Sequence, residues 1–168
     1  KECHLKGDAI MPIGPKSRNL NFSIQYEEKL ANQISFWMGK EIVENHVPLD
    51  LIVNWSDDAA PLTAKARAYL DINCGHCHMP GGSADTTGLN LNLTETEDRK
   101  IGIYKKPVAA GRASEGMKFS IVPGKPNESI LLHRMDSLDP GVMMPESGRK
   151  LSHSEGVALI NDWIISLK

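Results

Sequence analysis

The sequence is poor in aromatic residues, poor in cysteine and free of long apolar runs. Aromatic side chains make up 5% of its 168 residues, which indicates that something other than side chains fills part of the interior. Its three cysteines, Cys3, Cys74 and Cys77, are too few for a disulfide scaffold in a chain of this length. No stretch approaches the roughly 18 consecutive apolar residues of a membrane-spanning helix. We therefore expect a chain that does not span a membrane.

The overall charge is close to neutral. A formal net charge of −2 gives no general attraction to nucleic acid, and we expect no nucleic-acid partner. With 40% hydrophobic and 24% charged residues, the composition is typical of a soluble globular protein. The first residue is Lys1 rather than methionine, so we expect the chain to derive from a longer precursor.

One short segment carries a recognisable chemistry. Cys74-Gly75-His76-Cys77-His78 has the spacing CxxCH, in which two thiols add to the two vinyl groups of a haem. The imidazole that follows reaches the iron from the same side. The motif predicts a covalently attached haem c, held by Cys74 and Cys77 and ligated by His78. A buried porphyrin would also account for the scarcity of aromatic side chains.

Three other interpretations of the two cysteines remain open. They could form half of a zinc site, for which His76, His133 and His153 are the candidate further ligands. They could form a redox-active dithiol, although such pairs lie at a helix N-terminus and here the predicted helix precedes them. A plain disulfide or a chance match is the third interpretation.

A haem used for electron transfer commonly takes a methionine sulfur as its other axial ligand. Met143 and Met144 lie in a glycine- and proline-rich loop, from Asp139 to Pro145, whose stiff backbone suits the presentation of a thioether. Because proline restricts the residue before it, we predict Met144, in preference to Met143, as this ligand. The alternative is that both methionines are adaptable core fillers.

Hydrophobic spacing predicts four helices and almost no strand. The first spans 27–38, and the second spans 62–73 and leads directly into the motif. The third begins with Asn127 as its N-cap and ends before Pro140. These helices are separated by segments without a sustained period, which we expect to be loops: 11–21, 79–92 and 107–116.

The last predicted helix begins with a capping box formed by Ser152 and Glu155. Four apolar residues then fall on one helix face, Val157, Ile160, Ile164 and Leu167. A linker is predicted at 47–61. We divide the chain there into an N-terminal extension, 1–58, and a second domain, 59–168.

The order of helix, CxxCH, long loop, helix, Met-Pro loop and final helix resembles a class I cytochrome c domain over 59–168. This resemblance implies a mainly α fold, with a helical domain around a covalently bound haem, long irregular loops and a short helical N-terminal extension. It also implies that the helix before the motif crosses the last helix, with Ala66 and Tyr69 against Trp163. The insertion at 81–121 departs from the simplest cytochromes, so the resemblance does not determine which residues line the haem crevice there.

Three segments strengthen the resemblance: YLDINCGHCHMPGG, VPGKPNESIL and PGVMMPESG. They are similar to segments of uncharacterised cytochrome c domains that occur in larger bacterial secreted or surface-attached proteins. The resemblance therefore implies a periplasmic location or one on the extracytoplasmic surface, where haem c is attached in bacteria.

Several further residues are candidates for supporting roles. The carbonyl of Pro123 is a candidate partner for the second nitrogen of His78, the alternative being an ordinary turn. Arg112 and Arg134 are candidate partners of haem propionates, the alternative being solvated surface. Residues 99–118 hold six basic residues and one acidic residue. This positive charge would steer an acidic partner, the alternative being an ordinary solvated surface.

The front end of the chain resembles the end of a second haem motif. Cys3-His4 would complete CxxCH if one more cysteine preceded Lys1, so a second haem near Cys3 and His4 is possible. As the sequence stands, the first thiol is missing. The alternative is a leftover thiol at a shortened end.

These observations predict a function in electron transfer. If His78 and Met144 both stay bound to the haem iron, the chain is suited to be a carrier that exchanges electrons with a redox partner protein. The alternatives are a haem c module of a larger oxidoreductase, an open-site haem with peroxidase-like activity, and a zinc-stabilised interaction module.

Overall fold

Two short hairpins and two short helices form the N-terminal part of the chain. The computed structural model describes residues 5–6, 8–10, 16–27, 29–44, 51–109, 111–146 and 148–168. Strand β1 (Leu5–Lys6) pairs antiparallel with β2 (Ala9–Ile10). Strand β3 (Ser23–Gln25) pairs antiparallel with β4 (Leu30–Asn32). In sequence, helix α1 (Ser17–Leu20) lies between the hairpins, and α2 (Gln33–Gly39) follows them.

The remainder of the chain is helical with long irregular connections. Its helices are α3 (Leu62–Asn73), α4 (Asp98–Ile101), α5 (Ile130–Asp136) and α6 (Ser154–Ser166). In the described residues, the connections contain single 3₁₀ turns at Asp85–Thr87, Gly111–Ser114 and Pro126–Glu128. None of the helices in the described ranges is both long and apolar enough to cross a membrane.

The core lies where α6 packs against α3 and α5. Ala66 and Leu70 on α3 are fully buried, as are Ile160 and Ile164 on α6. Each pair is four positions apart and therefore lies on one helix face. Trp163, 2% exposed, joins the same cluster. Burial of each of the larger aliphatic side chains, Leu70, Ile160 and Ile164, stabilises the fold by about 1.5–3 kcal/mol, and this packing holds α3 in place ahead of the cysteine motif.

The predicted fold class, a mainly α class I cytochrome c-like domain with a short helical extension, is wrong. In the described ranges, four helices have seven or more residues, and no haem-binding fold is shown. The N-terminal part contains two small antiparallel sheets as well as helices. Residues 30–32 fit a helical spacing, but they are extended because they pair with 23–25. The side chain of Asn32 then caps α2 by accepting a hydrogen bond from Ser35 N at 3.1 Å.

The other predicted helices have mixed outcomes. The helix at 62–73 is confirmed, and Cys74 is its C-cap. Asn127 is not an N-cap, because it lies inside a 3₁₀ turn and α5 starts only at Ile130. The last helix is confirmed but its capping box is wrong, since His153 stands at the N-cap without a capping hydrogen bond. The expected loop at 11–21 contains α1. Residues 11–15 of this loop and residues 45–50, which overlap the predicted linker, lie outside the described ranges.

A buried ionic cluster ties the N-terminal part to α3. The Asp71 carboxylate has no exposed surface and accepts hydrogen bonds from Lys16 Nζ at 2.6 Å and Arg18 Nη2 at 2.7 Å. Leu93 N also donates to Asp71, at 3.0 Å. These bonds join the two parts into which the sequence was divided.

A second polar contact joins α3 to the start of α6. Tyr69 Oη and His153 Nδ1 are 3.0 Å apart, their rings are stacked, and the Trp55 ring packs edge-on against both. A Cβ atom added at Gly156 would overlap Tyr69 Oη and lie 2.7 Å from His153 Nδ1. The absence of a side chain at Gly156 therefore allows the tyrosine to reach the histidine.

Candidate functional site

The cysteine motif forms a tight turn at the C-terminal end of α3. Cys74 N and Gly75 N both donate to Leu70 O at 2.9 Å. Cys77 N and His78 N in turn donate to Cys74 O, at 3.1 and 2.9 Å. Because Leu70 is fully buried in the core, these hydrogen bonds fix the motif to the hydrophobic core.

The loop after the motif folds back onto it, and two glycines allow the close approach. A Cβ at Gly75 would lie 2.7 Å from Asp71 O, and one at Gly82 would overlap Cys77 O. Ala84 N donates to Cys77 O at 3.1 Å. Leu91 N donates to His78 O at 2.8 Å. The start of the predicted insertion therefore encloses the backbone of the motif.

Cys74 and Cys77 are not joined in a disulfide, which contradicts the disulfide interpretation. Burial, with a smaller contribution from Cys77, raises the pKa of the Cys74 thiol to about 12. A redox-active dithiol needs a lowered thiol pKa, so the Cys74 environment disfavours that interpretation as well.

The zinc interpretation also lacks support in the described ranges, which hold no group of three His, Cys, Asp or Glu residues able to bind a metal ion. Two of the candidate ligands have other neighbours. His133 Nε2 lies 3.7 Å from Glu115 Oε1, and His153 contacts Tyr69.

His78 is a neutral imidazole. Burial, with smaller contributions from Arg134 and His76, lowers its pKa to about 4. A neutral ring keeps one nitrogen lone pair for a metal ion. Two thiols at CxxC spacing, followed by this ring, make a donor set that fits covalent haem attachment.

The Met-Pro loop is anchored to α5 by one arginine. Met144 N donates to Arg134 O, and Arg134 Nε donates to Val142 O, both at 2.8 Å. The same arginine is close enough to lower the pKa of His78. Met143 is 7% exposed, whereas Met144 is half-buried. Arg134 is therefore a neighbour shared by the predicted ligand His78 and the loop of the predicted ligand Met144.

The supporting residues predicted from the sequence have diverse environments. Arg112 forms a two-pronged pair with the exposed Asp139, at 2.9 and 3.1 Å. The hydrogen-bond contact of His78 Nδ1 is with Thr87 Oγ1, at 3.2 Å, and not with Pro123. Cys3 and His4, the possible second haem site, lie outside the described residues.

Sequence reasoning missed Thr87. It lies in the polar stretch Gly-Gly-Ser-Ala-Asp-Thr-Thr-Gly, where nothing distinguishes one hydroxyl from another. Only the fold-back of the loop brings this residue to the histidine nine positions earlier.

Comparisons with protein-family models, with curated proteins and with solved structures found no match to this chain. The functional argument therefore depends on the motif and on the contacts around it.

Proposed function

We propose that this chain is an electron-transfer protein that carries haem c on Cys74 and Cys77, with His78 and Met144 as axial ligands. One observation supports it above all: the CxxCH turn places two thiols that are not joined in a disulfide, and a neutral imidazole, directly after helix α3. The proposal rests on this donor set and not on the fold.

Bound haem supplies a one-electron couple at its iron, and the chain holds and orients it. Each thiol would add across one haem vinyl group, forming a C–S bond while the thiol hydrogen goes to the neighbouring carbon, so that nothing is lost. His78 and Met144 come from separate elements, α3's terminal turn and the loop anchored to α5. Because neither ligand leaves during electron transfer, the chain rearranges little.

The test is the intact mass after denaturation of protein made together with the cytochrome c maturation machinery, paired with a reduced pyridine haemochrome spectrum. We expect a gain of one haem, retained in Cys3→Ala and abolished when Cys74 and Cys77 are both replaced by alanine. A gain of two haems would extend the proposal to the Cys3-His4 end. A colourless protein of unmodified mass would overturn it.

Replacing Met144 by alanine is expected to abolish the methionine-to-iron charge-transfer band and to let carbon monoxide bind quickly to the reduced protein, because a coordination position opens. Met143→Ala is the matched control and should keep the band. Near-infrared absorption measures the charge-transfer band, and stopped-flow mixing measures the rate of carbon monoxide binding. Loss of the band in Met143→Ala alone would move the ligand to Met143, and fast binding in the unaltered protein would favour an open-site haem.

The same proposal assigns a compartment and a partner class. Haem c is attached outside the bacterial cytoplasmic membrane, so we propose a periplasmic or extracytoplasmic location and a redox partner protein. Fractionation of the native host would test the location, and haem-stained chain confined to the cytoplasm would contradict it.

A further inference from the structure

Thr87 lies at a turn that is fixed on both sides. It is the last residue of the 3₁₀ turn Asp85–Thr87, and Gly88 follows with φ +65°. Gly88 N donates to Asp85 O at 2.8 Å and Thr87 N to Ala84 O at 3.1 Å. The left-handed conformation at position 88 suits glycine, and it turns the chain so that the Thr87 hydroxyl faces the motif.

The hydrogen bonds of this hydroxyl are fully assigned. Thr87 Oγ1 donates its one proton to Ala84 O at 2.7 Å and accepts a hydrogen bond from Leu89 N at 3.2 Å. A threonine hydroxyl has one proton and two lone pairs. The remaining lone pair faces His78 Nδ1 at 3.2 Å. With its proton already used in the shorter bond, Thr87 Oγ1 accepts, and Nδ1 of His78 carries the hydrogen.

We propose that Thr87 is the positioning residue that fixes the His78 tautomer, so that Nε2 is the nitrogen offered to the haem iron. This inference rests on the proposed function. The second nitrogen of a metal-bound histidine usually donates to a carboxylate, a carbonyl or water, which sets the ring orientation and raises its basicity. Here a side-chain hydroxyl has that role.

The proposal has a consequence for the iron. A hydrogen bond accepted from Nδ1–H increases the electron density that Nε2 gives to the metal, which favours the ferric state. Removing the acceptor therefore raises the reduction potential. Thr87 acts through His78 and does not touch the iron.

The experiment compares three variants of the haem-loaded full chain. Thr87→Val keeps the shape and removes the hydroxyl, Thr87→Ser keeps the hydroxyl, and Thr86→Val makes the same chemical change at the exposed neighbour. We expect Thr87→Val alone to raise the midpoint potential. We also expect its His78 Nδ1–H proton to exchange with solvent about fivefold faster in the reduced protein, as for the loss of one hydrogen bond. A wild-type potential and exchange rate in Thr87→Val would overturn the assignment.

A second measurement does not need haem. In chain made without the maturation machinery and labelled with ¹⁵N-histidine, His78 should be protonated at Nδ1, and Thr87→Val should shift it toward protonation at Nε2. An Nε2-protonated His78 in the unaltered chain would overturn the role of Thr87 even if haem binds. If no haem binds but Nδ1 is protonated in a Thr87-dependent way, the proposed function fails while the hydrogen bond is supported.

Discussion

Asp71 is the residue at which the N-terminal part, helix α3 and the loop after the motif meet. Its carboxylate has no exposed surface and accepts bonds from Lys16, Arg18 and Leu93 N. Removing one partner of such a buried pair leaves charges without compensation, at a cost of about 3–5 kcal/mol. Since Asp71 lies three residues before Cys74, its loss would also loosen the start of the motif.

We therefore expect Asp71→Ala to lower the free energy of unfolding by about 3 kcal/mol or more. Asp58→Ala, at an exposed position, is the control and should change it by less than about 0.5 kcal/mol. Urea unfolding followed by tryptophan fluorescence measures both. Equal stability of the two variants would contradict the importance of the cluster.

The contribution of Asp71 should vanish in acid. Burial would raise its pKa, but the hydrogen bonds from Arg18, Lys16 and Leu93 N together outweigh burial and hold the pKa below its ordinary value. A carboxyl with a lowered folded-state pKa stabilises the fold above its unfolded pKa, about 3.9, and this stabilisation is lost as pH falls through the folded pKa. The stability gap between unaltered protein and Asp71→Ala should be constant above about pH 5 and should narrow below about pH 4.

Neither Asp71 nor Thr87 could be predicted as a contact from the sequence. The cysteines and His78 were predictable because their chemistry is contained in five consecutive residues. The side-chain partners of Asp71 are 53 and 55 positions away, and a buried aspartate in a helix has no local signature.

Among the described helices, α3 and α6 form the most extensive contact. Gly156 lies on the buried face of α6, opposite Tyr69 and close to His153. Glycine inside a helix normally costs about 1 kcal/mol relative to alanine, but here a methyl group would overlap the tyrosine.

Gly156→Ala should therefore lower the melting temperature, in spite of the higher helix propensity of alanine. Gly39→Ala in α2, where an added Cβ meets nothing within 4 Å, is the matched control and should leave the melting temperature unchanged or raise it. Calorimetry on both variants decides the matter. A melting temperature for Gly156→Ala at or above that of the unaltered protein would show that Tyr69 moves aside freely.

Elements with a long apolar period were predictable, and short paired ones were not. Helices α3 and α6 show repeated spacing over three turns, so the period alone locates them. Leu30 and Ile34 also have helical spacing, yet Leu30 is 67% exposed in a strand. A strand of three residues is too short to show a clear alternating pattern in the sequence. Its stability comes from pairing with another strand, which the local sequence does not reveal.

Over the whole molecule, charge is unevenly distributed although the total is near zero. Among the basic residues of 99–118, Lys100 pairs with Glu97 and Arg112 with Asp139. Lys105 lies beside the Thr87–Gly88 turn, where an added Cβ at Gly88 would be 3.6 Å from its Nζ. Burial and the charge of Arg99 lower its pKa, and its amino group lies close to the proposed haem site.

If haem is bound as proposed, Lys105→Gln should slow electron exchange with an anionic reagent such as hexacyanoferrate and speed exchange with a cationic one such as hexaammineruthenium. Lys29→Gln, an exposed change in the N-terminal part, is the control. Both effects should fade as added salt shortens the screening length to about 10 Å or less. Stopped-flow rates at two salt concentrations test this, and equal effects of the two variants would contradict local steering.

The loop that closes over the cysteine turn has a consequence for biogenesis. Once Cys77 O and His78 O are bonded to Ala84 N and Leu91 N, the backbone around the thiols can no longer open to admit a modifying enzyme without breaking those contacts. If haem is attached as proposed, attachment and folding compete for this segment. Haem would then have to be delivered before the loop closes, and a chain that folds first would remain without haem.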